Sequence, residues 1–73
     1  MPEYSRILIE QYCMKHSETK KAKFLWEIVQ MSYDLDCEID NPDLLYLKQL
    51  ISREKNPELK QALEDLDDFL CGY

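Results

Sequence analysis

Two four-residue segments fifteen positions apart, Asn41-Pro42-Asp43-Leu44 and Asn56-Pro57-Glu58-Leu59, both spell the start of an α-helix. Asn is a strong N-cap, because its side-chain oxygen accepts from a backbone N–H that the first turn leaves unpaired. Pro suits the first helical position, where its fixed φ fits and its missing N–H is no loss. The acid that follows faces the positive end of the helix dipole, and the Leu opens an apolar stripe. Only about two residues separate the helices on either side of the second segment, so residues 42 to 71 are expected to form a tight helical hairpin. The likeness does not carry on past the caps at the same offset, which makes it a pair of similar starts and not a solenoid repeat.

The remaining composition agrees with an all-α chain. It holds a single Gly and no Asn-Gly or Asp-Gly, so the usual hairpin turns are missing, and straight-chain helix formers dominate. Three Pro and an ordinary apolar share argue against disorder. Seventy-three residues suit one small domain, residues 1–73, which buries only about 60% of the surface its unfolded form exposes. The spacing predicts four helices, about 2–16, 18–35, 42–54 and 57–71.

Each helix carries its own reading. In the first, Tyr4, Ile7, Leu8 and Tyr12 recur on one face, widened by Ile9 and Cys13. Ser17 is the expected cap of the second. That helix is apolar on two sides, with Ala22, Leu25, Trp26 and Val29 on one and Phe24, Ile28, Met31 and Leu35 on the other. Such a helix belongs between neighbours, so it is the expected central element, with Trp26 in the core. Trp26→Ala would then cost about 3–5 kcal/mol. Ile39 is expected to fold back as a staple beside the Asn41 cap. Leu44, Leu47 and Ile51 form the inner line of the third helix, broadened by Leu45 and Leu50. The fourth has the cleanest division: Leu59, Ala62, Leu63, Leu66, Phe69 and Leu70 inward, acids outward.

Charge is unevenly placed. Residues 1 to 33 sum to +1 and residues 34 to 73 to −7, which together give the formal −6. An acidic half disfavours direct binding to nucleic acid or to an anionic membrane, since phosphate contacts need Lys and Arg. It favours a protein partner with a basic surface. No apolar run approaches the roughly 20 residues of a membrane span. Met1-Pro2-Glu3-Tyr4 lacks the basic start of a signal peptide, and Cys71 is out of place for prenylation. Cys13, Cys37 and Cys71 are odd in number, which suits reduced thiols and a cytoplasmic location.

Specific chemistry is sparse. Cys13 and His16 stand one helical turn apart and could reach one metal ion, but no second ligand pair follows, so a core thiol beside a capping His is preferred. Asp34, Asp36, Glu38 and Asp40 imitate a calcium loop, yet Ile39 and Leu45 occupy the positions that need Gly and Glu. No metal site and no cofactor is therefore expected. With Gly72 as the sole Gly there is no phosphate loop, dinucleotide fingerprint or nucleophile elbow, and the chain is expected not to be an enzyme.

The expected function is that of a small acidic protein-binding module, an inhibitor or regulator that occupies a partner's basic surface. The acids Glu64, Asp65, Asp67 and Asp68 would steer it, and Tyr33, Tyr46 and Tyr73, the aromatics least used by the stripes, would anchor it. A nucleic-acid mimic that blocks a DNA- or RNA-handling enzyme is one alternative. A homo-oligomeric structural protein is another, and a homodimer is among the expected assemblies of the domain.

Overall fold

The computed structural model describes residues 2–32 and 39–71. Four helices follow in order: α1 (Glu3–Lys15), α2 (Lys20–Met31), α3 (Asn41–Arg53) and α4 (Pro57–Leu70). The described residues contain no strand, and the domain is all-α, as its residue types require. Three residues, Glu54 to Asn56, join α3 to α4, and the two pack as a helical hairpin.

The two cap segments turn out to be unequal. Asn56 behaves as expected: its Oδ1 accepts from the N–H of Glu58 at 3.0 Å and of Leu59 at 3.4 Å, with Pro57 opening the helix. At α3 the start slips back one residue. Asp40 is the cap, its carbonyl accepting from the N–H of Asp43 and Leu44, and Asn41 already lies inside the helix. Pro42 fits the second helical position as well as the first, since neither N–H there has an intrahelical partner. The α2 cap moves as well, from Ser17 to Thr19, whose Oγ1 accepts from the N–H of Ala22 at 3.1 Å and donates to the carbonyl of His16. That pair of bonds ties the end of α1 to the start of α2.

One apolar cluster draws on all four helices: Ile9 and Cys13; Ala22, Leu25, Ile28 and Val29; Leu47 and Leu50; Leu59, Ala62, Leu63 and Leu66. Ile39 packs against it, as expected of a residue just ahead of the α3 start. The inner line of α4 is as read from the sequence, except that Phe69 is half exposed near its end. In α3, Leu45 faces outward while Leu47 and Leu50 are buried.

Two expectations fail, and for a shared reason. In α1 the buried line is Ser5, Ile9 and Cys13, four residues apart, while Tyr4 is 64% and Ile7 38% exposed. Trp26 is 42% exposed, on the flank of α2 beside its buried face. The middle of the bundle belongs to α1 and α4, which pack on one another, with α2 against α1 and α3 against α4. A helix at the side of the bundle has one inner face, so α2 buries Ala22, Leu25, Ile28 and Val29 together and leaves Trp26 at the rim. The α2 and α3 sides meet through the rings of Phe24 and Tyr46, edge to face with centroids 4.6 Å apart, and through Lys21 and Glu54, paired at 3.2 Å.

The unequal caps have a measurable consequence. Asn56→Ala should lower unfolding free energy by about 1 kcal/mol, the usual worth of a side-chain N-cap. Asn41→Ala should change it by less than about 0.5 kcal/mol, as for a surface residue without a special bond. Urea melts of the two variants followed by circular dichroism would compare them directly; equal losses would contradict the placement of Asp40 as the α3 cap.

Candidate functional site

The acids of α4 fan out around the helix instead of sharing one face. Successive residues are turned by about 100°, so Glu64 and Asp68 point away from the core while Asp65 and Asp67 fall on opposite flanks. The flanks are occupied. Asp65 faces α1, where the buried Ser5 Oγ donates to its Oδ2 at 2.6 Å and Gln61 Nε2 donates to its Oδ1 at 3.2 Å. Asp67 faces α3, where Lys48 Nζ donates at 2.9 Å. Asp68 is exposed and Glu64 half-buried, and neither takes a side-chain partner among the described residues.

These two groups of acids differ in what they do for the fold. The short Ser5–Asp65 bond has a carboxylate acceptor and is shielded from water, and bonds to charged groups are worth about 1.5–3 kcal/mol. The Lys48–Asp67 pair is more open on the lysine side and contributes at most about 1 kcal/mol. It does ease a local conflict, because α4 has no cation in its last turn to offset the negative dipole end. Glu64 and Asp68, one turn apart, keep their repulsion and gain most from an external cation.

Of the candidate anchors, Tyr46 is half-buried, with its ring against Phe24. Tyr33 and Tyr73 lie outside the described residues. The acids Asp34, Asp36 and Glu38 of the calcium-like segment also lie outside them. Cys13 is buried in the core cluster. His16 follows α1 as its C-cap residue, with its ring 4.6 Å from that of Tyr12. Among the described residues no three His, Cys, Asp or Glu side chains gather as a metal site would require. Nor is any helix of the described residues long and apolar enough to cross a membrane.

Two features escape a reading of the sequence. Ser5 carries no hydropathic signal for burial; its small side chain lets α1 approach α4 and its hydroxyl meets Asp65. The other is a 420 Å³ cleft along the α1–α4 seam, with Tyr4, Leu8, Pro57 and Ala62 among its walls and Glu58 and Asp65 beside them. Tyr4 donates from its hydroxyl to Glu58 at 3.2 Å, and the adjacent negative charge, helped by that bond, raises the phenol above its ordinary pKa. No protein-family model, curated protein or solved structure matches the chain.

Ser5→Ala should cost about 1–3 kcal/mol in a thermal or urea melt, since it leaves a partly buried carboxylate short of a donor. Asp68→Asn should stay within about 0.5 kcal/mol, as expected of an exposed side chain outside any network. The Cys13 thiol gives a second check. Burial, then the nearby Glu10 charge, raises its pKa above the ordinary thiol value. The folded chain therefore holds this proton more tightly than the unfolded chain does. The stability that goes with it is complete below the ordinary thiol pKa and is lost as pH rises through the raised one. In mildly alkaline iodoacetamide the exposed Cys71 should be alkylated quickly, and Cys13 only on unfolding, as read by peptide mass spectrometry.

Proposed function

We propose that this chain is a small acidic protein-binding module, acting as an inhibitor or regulator by occupying a basic surface on its partner. The observation that carries the reading is the outward pair on α4: Glu64 and Asp68 face away from the core without side-chain partners among the described residues, on a chain of formal charge −6. Asp65 and Asp67 already serve the fold, so their part in binding is to add field and not contacts. Tyr46, with its ring against Phe24 on the α2 side, is turned away from the α4 pair; it, Tyr33 and Tyr73 remain candidate anchors on sequence grounds alone. Among the described residues Cys13 and Cys71 are free thiols, which suit a reducing compartment such as the cytoplasm.

The mimic reading has less support. Duplex DNA presents one negative charge per about 1.7 Å of axis, and a single outward pair of carboxylates on α4 is a sparse imitation of that row.

Capture from an extract of the source cell, followed by titration of the purified partner, tests the module. Glu64→Lys with Asp68→Lys should weaken binding by about tenfold or more, and added salt should weaken the unaltered pair in the same direction. Asp65→Asn with Asp67→Asn should act mainly on stability. Binding indifferent to both salt and the double reversal would reject the proposal.

A further inference from the structure

The outer side of α1 is unusually apolar for a helix face turned to solvent. Tyr4, Ile7 and Met14 are 64%, 38% and 65% exposed. With Gln11, also exposed, they fall within an arc of about 80° on the helix surface, opposite the buried Ile9. Trp26 continues the patch onto α2, where it and Met14 border a 280 Å³ cleft between the two helices. Isolated exposed apolar residues are ordinary; a row of three on one helix, extended by a Trp, is a surface suited to a partner.

We propose that this face pairs with the same face of a second copy of the chain, α1 against α1, antiparallel about a two-fold axis. Charge is the first reason. Two acids, Glu3 and Glu10, balance two cations, Arg6 and Lys15, within the helix, so α1 itself has no net charge to repel a second copy, although the Glu58 carboxylate that Tyr4 binds borders the face at one end. The Arg6 guanidinium already joins both acids, at 3.4 and 3.2 Å.

The ends of the helix are complementary as well. Glu3 stands in the first turn, whereas Lys15 in the last turn and Lys20 and Lys23 at the start of α2 outweigh Glu18 between them and make the other end basic, all five side chains exposed. An antiparallel two-fold sets like flanks of the two helices together, so Glu3 is brought to the partner's α2 start, where Lys23 borders Met14 and Trp26, and not to its Lys15, which lies on the opposite flank; symmetry makes the contact twice. It also opposes the two helix dipoles favourably.

Register is the third reason. Tyr4 and Met14 have the same midpoint along α1 as Ile7 and Gln11. A two-fold axis at that level therefore layers Tyr4 of one copy on Met14 of the other, and Ile7 beside Gln11, in the manner of knobs between facing helices. With 13 residues, α1 is only about 20 Å long. That contact is smaller than the roughly 800 Å² per partner of a standard stable interface, so the dimer is weak and forms with a Kd in about the micromolar range. The outward acids of α4 take no part, and the pairing stands or falls independently of the function proposed above.

Sedimentation equilibrium of the whole chain from about 1 µM to 1 mM spans the expected transition, and the mass should rise from one chain to two. Ile7→Glu and Met14→Glu should each raise the dimer Kd by about tenfold or more while leaving the helical signal unchanged. Gln11→Arg, which alters a residue already polar and exposed, should weaken pairing too and guards against a folding artefact. Glu3→Lys should weaken it, and adding Lys20→Glu and Lys23→Glu to the same chain should restore it. A chain that stays monomeric across the range overturns the proposal. So does a dimer indifferent to the stripe variants, or a charge exchange that fails to restore pairing.

Discussion

The bond from Ser5 to Asp65 joins positions sixty residues apart at 2.6 Å, and it sits where the first and fourth helices approach one another. Around it Ile9, Ala62, Leu63 and Leu66 are sealed from water. The closeness of that seam depends on Ser5 being small and on its hydroxyl satisfying a carboxylate that would otherwise be costly at a half-buried site. Once α1 and α4 are paired, the other two helices have determined places: α2 docks on α1, α3 on α4. The aromatic pair Phe24–Tyr46 and the ion pair Lys21–Glu54 then tie the two sides together.

The same seam explains which parts of the molecule could be read from its residues. Helix number, order and approximate bounds follow from periodicity and from Pro near three starts, because those signals are local. The α4 inner line, Leu59 to Leu66, was legible for the same reason. What one element presents to another was less so. Tyr4 and Ile7 look like core residues until the buried Ser5 fixes the rotation of α1, and Ser5 has no apolar signal. Trp26 looks like core until the partners of α2 are known. Asn41 looks like a cap until Asp40, one residue earlier, takes that role with its backbone.

The acids of α4 illustrate how fold and surface share one helix. Four carboxylates in five residues read as a single patch, but a helix turns them through most of a circle. Two meet neighbours, Ser5 and Lys48, and become part of how α4 is held; Glu64 and Asp68 remain turned outward. A candidate binding residue is thus better judged by what already touches it than by the company it keeps in sequence. Tyr46 makes the same point among the aromatics, since its ring is engaged by Phe24.

Because α4 supplies four residues to the core and a wall to both α1 and α3, it is the element without which the others have little to bury. During synthesis the first three helices emerge before it. Until then α1 and α2 have only each other, a pair whose apolar inner faces stay open on the α4 side. Burial of Ile9, Leu25 and Leu47 in one core therefore awaits the last of these four helices to be made.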